Sequence, residues 1–189
     1  MAKQSPLTIK YTFQEIWDEA GVIAHDLRIR NKLNKGDRVI LCYNFGLKFF
    51  AAFLGCLRAG VVAVLIYPPS PQKMSFALAS MNRIIQNCDA KLVLVDQIVN
   101  LLRSNPLSKS WKLWPQNIKF KVHSKREKWN VDKENFLREI VGENPIIPND
   151  LAFLQYTSGS TGDPKGVMVT FGALHANTKS LISSVYHTF

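Results

Sequence analysis

Cysteine is scarce in this chain, and the few present have no chemistry-bearing spacing. Cys42, Cys56 and Cys88 are an odd set with no Cys-x-x-Cys pair, each inside an apolar periodic run. That excludes a disulfide framework and a thiolate zinc site, and it fits small core residues of a reduced, cytoplasmic protein. The opening MAKQSPLTIK has no apolar stretch of signal-peptide length, so secretion is not indicated. Uninterrupted hydrophobic runs are equally scarce. The longest candidate, FFAAFLGCLRAGVVAVLIY over 49–67, contains Arg58. Arg58-Ala59-Gly60 is a helix C-terminus signal, and the β-branched run after it reads as a strand, so a buried helix and strand are expected and no membrane span. Repeats and low-complexity tracts are absent. With 47% hydrophobic and 20% charged residues over 189 positions, one globular unit is the expectation.

Acidic residues are outnumbered, 14 against 24 Lys and Arg, for a net charge of +10. The excess is concentrated between Arg103 and Glu139, where ten basic residues stand against four acidic ones near Trp111, Trp114, Phe120 and Trp129. Basic plus aromatic could form a single-strand nucleic-acid surface. No RNP, KH-loop or zinc-finger signature supports that, so a solvated face with snorkelling lysines is expected and no nucleic-acid partner.

The chain is patterned as alternating strands and helices. Thr12-x-x-Glu15 is a capping box, followed by Phe13, Ile16, Trp17, Ala20, Ala24 and Leu27 as a core-facing stripe. A turn at Asn34-Lys35-Gly36-Asp37 precedes a strand over 38–43. A helix from Gly46 to about Arg58 leads to a strand over 61–67, which the prolines at 68, 69 and 71 end. A helix over roughly 73–87, with Leu78, Met81, Ile85 and Cys88 on one side, and a strand over 91–95 follow. The segment 101–148 is basic and weakly patterned, with elements expected near 97–103, 118–122 and 133–140. A strand over 151–156 and another over 167–169 flank a glycine-rich stretch. Thr170 is a candidate N-cap for a last helix carrying Leu174, Leu181 and Val185. Continuous apolar strands alternating with helices predict an α/β fold, a mostly parallel sheet flanked by helices on both faces.

The glycine-rich stretch is the chemistry-bearing part. Thr157-Ser158-Gly159-Ser160-Thr161-Gly162-Asp163-Pro164-Lys165-Gly166 packs three glycines, four hydroxyls and a lysine between two apolar strands. Glycines let successive backbone N–H groups form an anion-binding concavity, hydroxyls donate without adding repulsive charge, and Lys165 adds a compact cation. A Walker A loop is excluded, because Lys165 is followed by glycine and not by Ser or Thr. A flexible Gly/Ser surface loop would explain the small residues but not a Pro-Lys-Gly set between two apolar strands, so phosphate binding is expected.

This run closely resembles the signature loop of the adenylate-forming superfamily, which includes acyl-CoA synthetases, nonribosomal adenylation domains and luciferases. Gly36-Asp37-Arg38-Val39 and FLGCLRAGVVAVLIYPP resemble further parts of the family in the same order. Tyr67-Pro68-Pro69 and the Gln155-Tyr156 lead-in are most similar to its fatty acyl-AMP ligase branch. The resemblance implies the front part of the large N-terminal domain, spanning 1–189, with the C-terminal domain absent. It also implies ATP and Mg2+ as cofactors, a fatty acid as substrate, and acyl carrier protein or coenzyme A as acceptor. Thr157, Ser158, Ser160, Thr161 and Lys165 are implied phosphate contacts, and Gly159, Gly162 and Gly166 the shapers of the cradle; none is implied to be catalytic or to bind metal. There is no Thr-Glu dipeptide, so the family's adenine- and magnesium-side element is missing, and Phe171 and Ala173 stand where the family often has histidine and asparagine. His175 is therefore expected to be an ordinary helix residue. The reading is a truncated portion of an acid-activating ligase, inactive by itself and with an apolar face or edge of its sheet uncovered; the alternative is a non-catalytic relic or interaction protein that keeps the loop.

Overall fold

The computed structural model describes residues 10–106, 114–123, 129–158 and 164–186. In chain order the elements are α1 (Phe13–His25), continued by a wider π turn over Asp26–Arg30, then β1 (Arg38–Cys42), α2 (Leu47–Ala59), β2 (Val62–Ile66), α3 (Met74–Cys88), β3 (Leu92–Val95), α4 (Gln97–Ser104), β4 (Lys119–Val122), α5 (Val131–Glu143), β5 (Leu151–Ser158), β6 (Pro164–Thr170) and α6 (Phe171–Tyr186). The six strands form one sheet in the order β4-β3-β1-β2-β5-β6. Every neighbouring pair is parallel except β5–β6, which is antiparallel.

The predicted α/β architecture is present, and the strand chemistry explains it. Side chains alternate across a sheet, so a strand buried on both faces has no polar positions to spare. In β1, Val39 and Leu41 enter one core while Ile40 and Cys42 enter the other; in β3, Leu92 and Leu94 oppose Val93 and Val95 in the same way. Helices α1, α2 and α5 cover the first face through Ile23, Ala24, Ala52, Cys56 and Leu137. Helices α3 and α4 cover the second through Leu78, Met81, Ile84 and Val99. Each fully buried Leu, Ile or Val contributes roughly 1.5–3 kcal/mol.

Local signals decide the ends. Thr12 accepts from Glu15 N at 3.1 Å while its own N–H donates to Glu15 Oε2 at 2.8 Å, the capping box expected from the sequence. Gly60 closes α2 at φ 68°, and Gly36 takes φ 85° in the turn before β1, both in the left-handed region that favours glycine. Thr170 caps α6 by accepting from Ala173 N at 3.1 Å. All three cysteines are free and buried. Among the described residues no helix is long and apolar enough to cross a membrane.

Four expectations need correction. Phe13 is 93% exposed and Trp17 46%; the first turn of α1 borders an open groove of about 420 Å³ with Gln14, Ile16 and Leu54, so the buried stripe begins only at Glu19. The strand expected near 118–122 is present as β4, but the solvated face expected of the basic segment is partly core, since Trp114 is 4% exposed beside that strand. The strand expected over 167–169 runs from Pro164 to Thr170, because Gly166, Lys165 and Pro164 pair with Tyr156, Thr157 and Ser158. Leu181 and Val185 of α6 are 61% and 57% exposed and are not core residues. The expected uncovered apolar surface lies there and on β6, where Val167 and Met168 are 52% and 69% exposed.

Candidate phosphate-binding hairpin

The glycine-rich stretch is the tip of an antiparallel hairpin at the end of an otherwise parallel sheet. Parallel neighbours need a crossover, whereas an antiparallel pair closes through a short loop. Here the pairing holds through Ser158↔Pro164, so only residues 159–163 connect the strands. Gly159, Ser160, Thr161 and Gly162 lie outside the described residues. The four other predicted site residues belong to the strands: Thr157 and Ser158 to β5, Lys165 and Gly166 to β6. Thr157 and Lys165 are register partners, so they project from the same face of the hairpin, and both are exposed. A hydroxyl donor and an ammonium thus stand side by side where the strands open.

The opposite face of the hairpin is held by residues that the motif alone does not single out. Tyr156 pairs with Gly166, and its ring lies against that glycine: a Cβ there would sit 3.0 Å from Tyr156 Cζ and 3.3 Å from Cε1 and Cε2. The Tyr156 hydroxyl donates to Asn87 Oδ1 at 2.5 Å, reaching the last turn of α3. Burial, with the Cys88 sulfur beside it, pushes the phenol up to about 12, so it stays a donor at neutral pH. Asn87, Cys88, Tyr156, Gly166 and Met168 line an open cleft of about 380 Å³ beneath the hairpin.

A second support lies at the carboxyl ends of the parallel strands, the edge where open α/β sheets place ligands. Asp96, directly after β3, is 8% exposed. It accepts from Asn44 N at 2.9 Å, Asn44 Nδ2 at 2.8 Å and Val99 N at 2.8 Å. One carboxylate therefore joins the end of β1 to the start of α4. The signal available in the sequence was Asp96 standing between an apolar strand and an amphipathic helix, an N-cap pattern. His175 is exposed on α6. The basic segment is no aromatic platform among the described residues: Trp114 is buried edge-on to Phe120, Arg103 lies over Phe120, and Trp129 packs beside Arg58.

A family model described as AMP-binding enzyme matches residues 6–189. The chain belongs to this family. Among curated members it is 36% identical over 161 residues to the medium-chain-fatty-acid–(acyl-carrier-protein) ligase JamA of Moorena producens, covering 84% of this chain and 25% of that one. It is 30% identical over 164 residues to Disco-interacting protein 2 homolog B of Homo sapiens, covering 84% of this chain and 10% of that protein. Among solved structures, the fatty acyl-adenylate ligase of L. pneumophila in complex with acyl adenylate and pyrophosphate superposes with a TM-score of 0.68 at 32% identity, covering 97% of this chain and 29% of that one. The chain thus spans a quarter or less of the length of these two curated relatives. Its AMP-binding fold is fatty acyl-AMP ligase-like.

Proposed function

We propose that the chain supplies the polyphosphate-gripping part of an ATP-dependent ligase that activates a fatty acid. The observation that carries this reading is the hairpin itself, with Thr157 and Lys165 paired where the strands open, inside a chain matched to the AMP-binding family from residue 6 to residue 189. In that reaction a carboxylate oxygen forms a bond to the α-phosphorus of ATP while the bond to the bridging oxygen breaks, so an acyl-adenylate forms and pyrophosphate leaves. Charge gathering on the pyrophosphate is met by donors fixed in advance, the arrangement that lowers such barriers most. In this reading Thr157, Ser158, Ser160, Thr161 and Lys165 contact the phosphates, and Gly159, Gly162 and Gly166 let the backbone approach. Among the described residues no group of three His, Cys, Asp or Glu could hold a metal. The described residues therefore offer no protein cage for the family's magnesium.

The name of the Moorena ligase supports an acyl carrier protein as the acceptor, with coenzyme A as the alternative. The interaction-protein reading is not favoured by the ligase matches. A cytoplasmic location belongs to the same proposal, supported by three unpaired buried thiols.

Binding is the decisive assay. The 189 residues are expected to hold pyrophosphate in equilibrium dialysis and to show no fatty-acid-dependent ATP–pyrophosphate exchange by themselves. Removing one charge-assisted contact costs about 1.5–3 kcal/mol, so Lys165→Ala should weaken pyrophosphate binding roughly 10- to 100-fold. Equal affinity in Lys165→Ala and the parent chain would refute the assignment.

A further inference from the structure

The strand that presents Lys165 is itself short of support. Among the described residues strand β6 has a neighbour on one side only, its Val167 and Met168 are exposed, and the cleft of about 380 Å³ lies open between its inner face and the end of α3. Strand β5 is fixed by its ladder to β2 and by buried Leu154, so contacts across this cleft act on the β6 side of the hairpin. Across the gap the Tyr156 hydroxyl donates to Asn87 Oδ1 at 2.5 Å, with the Cys88 sulfur beside it. The two residues of this bond are 69 positions apart in sequence, so it is a tertiary tie and not a local turn. The same Tyr156 ring touches both strands of the hairpin, since it belongs to β5 and lies against Gly166 of β6. Gly166 is flanked by Lys165, and Tyr156 by Thr157. A shift of this ring therefore bears on the backbone next to each of these two residues, before Thr157 and after Lys165.

We infer that Tyr156 is a positioning residue for the phosphate loop: its hydroxyl, anchored on Asn87, and its ring, seated beneath Gly166, fix the hairpin so that Thr157 and Lys165 face one polyphosphate. The inference rests on the phosphate-binding reading above and adds to it a support outside the glycine-rich stretch. It gives Gly166 a second reason to be glycine. The position needs no unusual backbone there; a Cβ would crowd the ring, which would have to give by a few tenths of an ångström.

The tie is separable from the fold by substitution. Tyr156→Phe keeps the ring and removes only the hydroxyl. Asn87→Leu keeps the size and removes the acceptor, whereas Asn87→Asp keeps an acceptor oxygen. Loss of one neutral hydrogen bond corresponds to roughly a 3- to 10-fold change in an equilibrium. Pyrophosphate affinity, read by equilibrium dialysis, should fall by about that factor in Tyr156→Phe and in Asn87→Leu, fall no further in the double variant, and return towards the parent value in Asn87→Asp. Amide hydrogen exchange gives a reading that needs no ligand: exchange over 155–158 and 164–167 should speed up about 3- to 10-fold in Tyr156→Phe, while β1 and β2 are unchanged.

The control is Lys165→Ala. If Lys165→Ala loses pyrophosphate while Tyr156→Phe and Asn87→Leu bind like the parent, the positioning role is refuted and the phosphate reading survives. If the parent and Lys165→Ala bind alike, the phosphate reading itself fails. Unchanged hairpin exchange in Tyr156→Phe refutes the tie in either case, and exchange that rises equally throughout the sheet refutes it too, by showing a purely structural loss.

Discussion

One substitution, glycine to alanine, should act with opposite signs at two helical positions. In α2, a Cβ built on Gly55 would lie 2.7 Å from Ile23 Cγ2, 2.8 Å from Ile23 Cβ and 3.0 Å from the carbonyl oxygen of Ala20, all on α1. Ordinary contact begins near 3.4 Å, so α1 must withdraw by about 0.7 Å at Ile23, the difference between that limit and 2.7 Å. Rotating the isoleucine does not relieve the clash, because its Cβ and the Ala20 carbonyl are fixed to the backbone. Overfilling a packed core costs about 1–3 kcal/mol, and alanine's better helix propensity returns at most about 1 kcal/mol. After the full propensity return, Gly55→Ala should therefore lose up to about 2 kcal/mol. In α5, Gly142 has nothing within 4 Å of the same Cβ, so Gly142→Ala should gain about 0.5–1 kcal/mol through the propensity term. Urea unfolding followed by far-ultraviolet circular dichroism reads both, with an unchanged m value certifying that only stability moved. If both variants shift the midpoint in the same direction, the close α1–α2 approach does not decide the effect.

Two further outcomes follow from titratable groups. The carboxyl of Asp150 is held below its ordinary 3.8 by the Ile147 N–H and by the Lys35 ammonium at 3.0 Å. A depressed folded-state value adds stability above the unfolded value and loses it as pH falls through the folded one. The stability difference between the parent chain and Asp150→Asn should thus be full at neutral pH and shrink below about pH 4; a difference that grows on acidification contradicts the assignment. Burial pushes the Cys42 thiol up to about 12 and the Cys56 thiol higher still. Both should resist Ellman's reagent at pH 8 until urea unfolds the chain, and prompt labelling of either in the native protein would contradict their burial.

The sheet was legible in the sequence because every central strand is buried on both faces and so reads as a continuous apolar run. The helix ends were legible because their caps are chemical: Thr12 with Glu15, Gly60 at the end of α2, and Thr170 before α6. Where expectation failed, the missing quantity was the neighbour. Phe13 has the right spacing for the core stripe and still lies in the open. The basic segment was expected to be a solvated face, yet Trp114 is buried and Trp129 packs beside Arg58. Arg58 illustrates the limit well. Its guanidinium sits 4.1 Å over Trp17 and 5.2 Å from Trp129, and it pairs with Glu134. Such a clamp is assembled from α1, α2 and α5 and has no signature within any one of them.

The candidate site divides along the same line. Its ligand-facing residues are contiguous in the chain because a hairpin tip can gather hydroxyls, glycines and a lysine within ten positions. A motif of that kind is readable from sequence, since its spacing is its geometry. What aims the hairpin is not contiguous. Asn87 sits at the end of α3, and Asp96 and Asn44 close the strand ends on the far side of β2 from β5. The sequence therefore names the candidate phosphate contacts and mistakes the extent of the loop, assigning Thr157, Ser158, Lys165 and Gly166 to irregular structure although all four are in strands. That difference has a functional sense. Donors held in a strand pair do not have to be ordered when the polyphosphate arrives, so less of the binding energy goes into fixing them. Holding Thr157 and Lys165 in paired strands suits a cradle that must meet developing charge without rearranging. The Tyr156→Phe exchange measurement tests this point, because it asks whether loosening the strands, with every phosphate-facing side chain retained, is enough to weaken the grip.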